Sequence, residues 1–293
     1  MTLISTILEI VAPVFILALV GFTWVKLGFE YRIQFITRLA MTLSVPALMF
    51  TALMKTEVPL SALSEVALAA FVAYALLTIA FVIVAKALGL NMATYLNPLI
   101  FGNTGNVGLP LALFAFGDEG LGYALAVFAV MIVGSFTFGI WLVSGGGSPL
   151  KVLKEPVVWA TGLGVLFLSQ GWQTPRFLTN SLEMIGQITI PLLLITLGVA
   201  IARLKASSFG AAIWLSALKT VMSIGVAWGA GLYFGLTGAA FGVLVLQVAT
   251  PVAVTSYLLA EKYGADAEAV AGLVVVSTMM SVLALPLLLA FVI

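Results

Sequence analysis

The sequence predicts an all-α integral membrane protein. It has ten transmembrane helices arranged as two inverted five-helix repeats, with helices 4 and 9 broken and crossing. Three observations carry this expectation. Of 293 residues, 63% are hydrophobic and only 8% charged, too little charge for the surface of a water-soluble globule. Apolar runs of about 20 residues, the length that crosses a bilayer, recur between clusters of charge, glycine and proline. Polar and helix-breaking residues stand at matching places in the two halves.

The spans fall near 3–25, 35–54, 62–86, 95–116, 121–144, 156–170, 177–202, 209–233, 237–260 and 267–292. No basic segment precedes the first, and no small-residue cleavage site follows it, so it reads as a retained span rather than a signal peptide. Pro46 and Pro191 read as kinks within spans two and seven. The sixth span is short and is closed by Thr174-Pro175. The linker-like segment Ser144-Gly145-Gly146-Gly147-Ser148-Pro149 separates a first repeat, 1–144, from a second, 156–293, with 145–155 as a cytoplasmic linker. Five spans per half is an odd number, which inverts the second half across the membrane.

Residue pairs at an offset of roughly 141 to 146 support the repeat. Pro13 matches Pro156, Gly21 matches Gly164, and Ser44-Val45-Pro46 matches Thr189-Ile190-Pro191. Asn106 matches Gln247, Pro110 matches Pro251, and Ser135 matches Ser277.

Orientation follows from the excess of Lys and Arg in cytoplasmic loops. An outside N-terminus places Lys26, Arg32, Arg38, Lys86, Lys151, Lys154, Arg203, Lys205 and Lys262 on the cytoplasmic side, and Lys55 and Arg176 opposite. The expected location is the cell (inner or plasma) membrane, multi-pass, with both termini on the non-cytoplasmic side. The lipid bilayer is then a partner, and a net charge of +1 argues against nucleic acid. Without Cys or His, disulfides, the usual zinc sites, thiol nucleophiles and His-based catalysis are excluded. With no nucleophile and base pair to assemble, the expectation is no enzyme, no cofactor and no metal site.

The fourth span carries Phe101-Gly102-Asn103-Thr104-Gly105-Asn106-Val107-Gly108-Leu109-Pro110, and the ninth carries Gln247-Val248-Ala249-Thr250-Pro251. Proline in a helix interior removes a donor and clashes with the carbonyl four residues back. Irregular backbone at membrane depth survives only where protein or a water-filled cavity covers it. Broken helices expose termini with about half a charge of each sign, so crossing breaks make polarised sites near the midplane. Gly108, Pro110, Gln247, Thr250 and Pro251 would form this crossover. The amides of Asn103, Asn106 and Gln247 and the hydroxyls of Thr104 and Thr250 could orient an anion or ligate an ion. The spacing of Gly102, Gly105 and Gly108 also suits close helix packing.

Neither broken segment contains Asp or Glu, so no carboxylate proton relay is visible there. Lys219 is the deepest charge, about 15 Å of helix rise from the cytoplasmic end of its span. Snorkelling towards the cytoplasm and a role facing the core both remain open for it. Glu9, Glu65 and Glu183 read as interfacial. Ser135, Thr137, Ser277, Thr278 and Ser281 read mostly as interhelical hydrogen bonders, and Trp24, Trp141, Trp159 and Trp172 as interfacial anchors.

These residues resemble the auxin efflux carrier family, particularly its short prokaryotic members. Asn103-Thr104-x-x-x-Gly108-Leu109-Pro110 looks like the family's fourth-span motif, and Ser44-Val45-Pro46 stands at its second-span proline motif. Lys154-Glu155-Pro156-Val157-Val158-Trp159-Ala160 resembles the start of the sixth span in bacterial members. Leu197-Gly198, Pro251 through Ala260, and Ser277-Thr278 through Pro286 are similar to spans seven, nine and ten.

The resemblance implies the fold of bile-acid symporters and sodium/proton antiporters. It also implies a scaffold unit of spans 1, 2, 6 and 7, through which a homodimer would form, beside a transport unit of spans 3–5 and 8–10. It carries ligand contact over to Val45, Asn103, Gly105, Val254 and Thr255. Family substrates are organic anions: auxin in plants, and malate, malonate or related carboxylates in bacteria. The long loop and the Asn-Pro-Asn-Thr segment of plant members are missing here, which points away from auxin and towards a small organic anion, a carboxylate first.

The expected function is secondary transport of that anion by alternating access at the helix 4/9 crossover. A coupling sodium ion, a proton or neither remain open. The alternatives are a sodium- or proton-coupled antiporter of the same fold and a receptor that binds without transport.

Overall fold

The first helix, α1 (Leu3–Lys26), lies backbone to backbone against α10 (Thr189–Arg203). A Cβ on Gly21 would stand 1.9 Å from the carbonyl oxygen of Ile195, and one on Gly198 would stand 1.7 Å from that of Ala18. Lipid tails are as apolar as leucine, so membrane helices gain from close van der Waals approach rather than from escape from water. The glycine pair permits that approach.

The computed structural model describes residues 3–146, 153–204 and 209–293. Its elements are helical throughout, apart from one isolated backbone bridge. The linker residues 147–152, with Lys151, and Lys205 among the loop charges lie outside the described residues.

After α1, the short α2 (Ile33–Leu39) runs through a π-helical turn at Ala40–Ser44 into α3 (Val45–Lys55). The widened turn sits just ahead of Pro46, where a regular helix would press the ring onto the carbonyl four residues back. A similar adjustment divides α9 (Arg176–Gln187) from α10 at Ile188, ahead of Pro191. Both prolines therefore kink their helices, as expected. α3 packs against α8 (Pro156–Gln170) and α9, again at glycines. Gly164 faces Leu53, and Gly186 faces the backbone of Leu48.

The helix α4 (Leu60–Ala87) leads to α5 (Met92–Ile100), a π-helical turn at Thr104–Gly108, and α6 (Leu109–Gly134). A further π-helical turn at Ser135–Gly139 continues into α7 (Ile140–Ser144). The run Thr104–Ser144 has 41 residues, about 61 Å if straight, twice the roughly 30 Å hydrocarbon core. Gly117 breaks it with φ +62° and ψ −153°, a conformation that glycine reaches at little steric cost. In the remaining chain, α11 (Phe209–Tyr233) precedes α12 (Gly238–Val248), α13 (Val254–Tyr263) and α14 (Ala267–Val292).

Among the described residues, seven helical segments are long and apolar enough to cross a membrane, and Pro156–Gln170 and Gly238–Val248 are shorter apolar helices. The protein is thus an all-α, multi-pass membrane protein. Its outer surface fits that solvent, with Phe71, Phe177, Leu283 and Phe291 exposed. Trp24, Trp141, Trp159 and Trp172 are also exposed. The indole N–H of Trp24 donates to the Glu30 carbonyl at 3.2 Å, and that of Trp159 to the Leu153 carbonyl at 2.8 Å. Glu9 and Glu65 are exposed, and Glu183 pairs with Lys55.

The hydroxyls of spans five and ten differ from expectation. Thr137 donates to the Val133 carbonyl, Thr278 to the Val274 carbonyl at 2.7 Å, and Ser281 to the Thr278 carbonyl at 2.7 Å. Each returns to its own helix, where the carbonyl three or four residues back is always within reach. Ser277 is the member of the group that reaches across to another element, by accepting from the Val252 N–H.

The glycine contact gives a direct test. Gly198→Ala forces α1 and α10 apart and should cost about 1–3 kcal/mol, the range for overpacking. The midpoint of thermal unfolding of the purified protein should fall by several degrees. Gly225→Ala, whose Cβ meets nothing within 4 Å, should leave it unchanged.

Candidate crossover site

Two helices stop inside the structure and meet at their broken ends. α5 ends at Ile100, and Phe101, Gly102 and Asn103 leave the helical path before the π-helical turn and α6 resume it. α12 ends at Val248, and the chain from Ala249 to Ala253 leads to α13. Gly102 and Val252 form an antiparallel bridge, and the Asn103 N–H donates to the Pro251 carbonyl at 2.7 Å. The Val252 N–H donates to Ser277 Oγ at 2.9 Å. Lys219 Nζ donates to the Thr250 carbonyl at 2.8 Å, and Thr250 Oγ1 donates to the Gln247 carbonyl at 2.7 Å. The groups freed by one break are satisfied by the other break, α11 and α14, which is how irregular backbone is tolerated in an apolar solvent. Pro251 reduces the demand further, because it has no N–H to satisfy.

Two glycines let the breaks approach. A Cβ on Gly102 would lie 2.2 Å from Thr250 Oγ1 and 2.9 Å from its carbonyl oxygen, and one on Gly108 would lie 2.1 Å from Gln247 Oε1. The helical path breaks at Phe101–Asn103 rather than at Pro110. Pro110 lies inside the helical run that begins at Thr104, just after the π-helical turn, whose widened path accommodates the ring as the turn ahead of Pro46 does.

The structure gathers the polar residues expected at the crossover. Asn103 caps the π-helical turn, its Oδ1 accepting from the Asn106 N–H at 3.4 Å, while its Nδ2 is buried without a partner. Thr104 is fully buried with an unpartnered hydroxyl. Gln247 lies over Gly108, fully buried, with both amide atoms unpartnered. Gly105 faces the Phe128 ring and Asn106 is half-buried. Val254, buried, and Thr255, half-buried, open α13. Val45 is buried at the start of α3, on an element separate from either break.

Lys219 faces the core, with 1% of its surface exposed. Its ammonium lies beside the C-terminal end of α12, where the last carbonyls carry about half a negative charge. The two ion pairs among the described residues, Arg32 with Glu30 and Lys55 with Glu183, are elsewhere. The remaining poles of the breaks are unequal. The π-helical turn leading into α6, and the start of α13, present N-terminal, positive ends.

Sequence reasoning passed over three further groups. Asn97 Nδ2 donates to Ser256 Oγ at 3.3 Å, tying α5 to α13, with Asn97 Oδ1 unpartnered. Asn97-Pro98 inside an apolar run was the available signal. Ser216 and Ser223 are fully buried on α11 with unpartnered hydroxyls. Their spacing around Lys219, three before and four after, marks one helix face. The Tyr74 ring on α4 lies tilted against that of Phe101, their centroids 5.7 Å apart, and its hydroxyl is also unpartnered.

One cavity borders the crossover, at Phe101, and two others are lined by no residue of either break. The first, of about 640 Å³, lined by Tyr74, Phe101, Gly134, Phe138 and other apolar residues, lies between α4 and the far part of α6. The other two, of about 430 and 350 Å³, share Lys55, Thr56 and Asp118 where α3 meets α6 and α9. Thr104, Gln247 and Thr250 have no exposed surface. The polar centre is therefore closed, and a ligand reaches it only when packed elements move.

Comparisons with known proteins point the same way. The family model described as "Membrane transport protein" matches residues 140–289. An uncharacterized transporter of Methanothermobacter thermautotrophicus is 27% identical over 95% of this chain and 96% of its own length. An uncharacterized transporter of Methanocaldococcus jannaschii is 28% identical over 64% of this chain; the match covers 64% of that protein, just under two thirds of its length.

The seam between the breaks has a measurable weak point. Ser277→Ala leaves the buried Val252 N–H without its acceptor, a loss of about 1–3 kcal/mol. Thermal unfolding of that variant should begin several degrees lower. Ser277→Thr, which keeps the oxygen, should recover most of the difference.

Proposed function

Since the chain belongs to the auxin efflux carrier family of membrane transport proteins, we propose that it carries a small organic anion, a carboxylate in the first instance, by alternating access at the helix 4/9 crossover. The observation that carries this reading is the position of Lys219. Its ammonium answers the negative end of α12, while the positive ends at the π-helical turn and α13 have no carboxylate in either broken segment. The crossover is left with positive potential and with unpartnered amide and hydroxyl groups on Asn103, Thr104 and Gln247. An anion held by helix ends and amides is bound without a direct ion pair, which suits a site that must also release it.

The closed centre supports alternating access, because such a ligand enters and leaves only through motion. We assign the motion to a transport unit of spans 3–5 and 8–10 sliding on a scaffold of spans 1, 2, 6 and 7. The glycine-mediated contacts of α1 with α10, and of α3 with α8 and α9, favour a stiff scaffold of that composition. The ten-span count follows if the run through α6 is divided at Gly117, the short α8 crosses, and α12 with α13 crosses as one interrupted span. Two inverted repeats and a cell-membrane location with both termini outside complete the proposal. The matched breaks, the paired kinks before Pro46 and Pro191, and the loop charges support it.

Uptake into proteoliposomes tests the reading. With a panel of radiolabelled short-chain carboxylates, at least one should accumulate and exchange in counterflow, which a receptor would not support. Asn103→Ala and Pro251→Ala should each lower the rate about tenfold or more, equivalent to about 1.4 kcal/mol, while both variants remain monodisperse. Undiminished uptake by both would remove the crossover from the mechanism.

A further inference from the structure

A cleft on the outside of the proposed scaffold, away from the crossover, lies between α3 and α8. The two helices pack closely where a Cβ on Gly164 would stand 2.9 Å from Leu53 Cβ and 3.4 Å from Phe50 Cα. One to two turns earlier on both helices they enclose a cavity of about 520 Å³, walled by Pro46, Ala47 and Phe50 on α3 and by Pro156, Trp159 and Ala160 on α8. Leu43, Trp159 and Leu163 also line it and are exposed, so its mouth meets bilayer hydrocarbon. An empty gap there would forfeit the dispersion contacts of its walls, and an acyl chain restores them.

One end of the cleft is charged. Lys154 lines it and is exposed. The Trp159 indole N–H donates to the Leu153 carbonyl at 2.8 Å, which pins the segment carrying Lys154 against the first turn of α8. Thr42 lines the same cavity and donates to the Arg38 carbonyl at 2.8 Å, so an exposed arginine follows one turn before it. Neither cation belongs to an ion pair among the described residues. Lys86 and Lys262 stand in the last turns of their helices, where the negative dipole end accounts for a cation. Lys154 instead precedes the positive end of α8, and Glu155 at the N-cap makes no side-chain capping bond and does not line the cleft. An ammonium beside a helix N-terminus, at the mouth of an apolar slot with a tryptophan at its rim, calls for an anion with a hydrocarbon tail. Basic pockets between membrane helices take lipid headgroups in this way, and tryptophan marks the headgroup level.

We propose that this cleft binds one anionic phospholipid, with an acyl chain between α3 and α8 and the phosphate at Lys154. A chain held there fills the loose stretch of a seam that glycine closes further along, so the lipid acts as part of the scaffold's packing. The site depends on the fold and its charges, and not on the carrier reading above.

Native mass spectrometry of the full-length protein, released from micelles containing equimolar phosphatidylglycerol and phosphatidylcholine, tests this without a known substrate. Wild type should retain one phosphatidylglycerol in clear preference to phosphatidylcholine. Lys154→Gln should lower that retention about fivefold, the effect of about 1 kcal/mol for one basic residue at a membrane surface. Ala160→Leu, which fills the slot and leaves the ammonium in place, should lower it as well, whereas Lys262→Gln should not. Gel filtration establishes that each variant is monodisperse. Equal retention of the two lipids by wild type, or retention of neither, overturns the proposal, and that arm does not depend on any variant folding. Retention at the wild-type level by monodisperse Lys154→Gln or Ala160→Leu overturns it too. A lipid-free dimer that Ala160→Leu separates into monomers would give the cleft to a second copy of the chain and would likewise overturn it. Failure of every carboxylate in the uptake assay would remove the carrier reading and leave the lipid result standing.

Discussion

The pairing of two broken helices with each other is the constraint on which the rest of the structure depends. In water, the groups around Gly102 and Val252 could be solvated at little cost; in a bilayer they must find partners inside the protein. The antiparallel bridge, the Asn103 to Pro251 hydrogen bond, and the help of Ser277 and Lys219 meet that demand. The last two require α14 and α11 to lie beside the breaks, and the close approach of the breaks requires Gly102 and Gly108 to have no side chain. The arrangement of the surrounding helices thus follows largely from where two interrupted helices can be made whole.

Charge is placed with the same economy. An amine deprived of water is costly, and the structure offsets that cost with a carbonyl at a negative helix end rather than with a carboxylate. A lysine and aspartate pair would have left the crossover neutral. A lysine against a helix dipole leaves it positive, and the unpartnered polar atoms of Asn103, Thr104 and Gln247 lie within that field. Buried polar groups without partners are costly, so their concentration at one seam suggests a site prepared for something it binds.

Packing is distributed unevenly in a way that suits motion. At α1 and α10, glycines bring backbones into contact, and no other residue fits without displacement. Where α6 faces the packed pair α3 and α9, polar cavities of a few hundred Å³ intervene instead. Tight seams hold two elements as one body and looser ones let bodies slide, which is the property the proposed scaffold and transport units would need.

The sequence by itself determined the class, most of the long apolar helices and the two segments in which the helices break. These depend on composition, on apolar run length and on glycine and proline placement, which are local properties that bilayer physics reads directly. It also located the polar residues of the crossover, because an amide in an apolar run is conspicuous. Tertiary structure alone decided which groups meet. Snorkelling and core-facing lysines have the same sequence, and only the position of Thr250 relative to α11 turned Lys219 inward. Likewise Ser277 reaches Val252 while Thr278 and Ser281 turn back to their own helices, a choice set by which face of α14 lies against the break. The break between α5 and α6 fell at Phe101–Asn103 and not at Pro110, because an antiparallel partner was available there and the π-helical turn ahead of Pro110 takes up its ring without ending the helix.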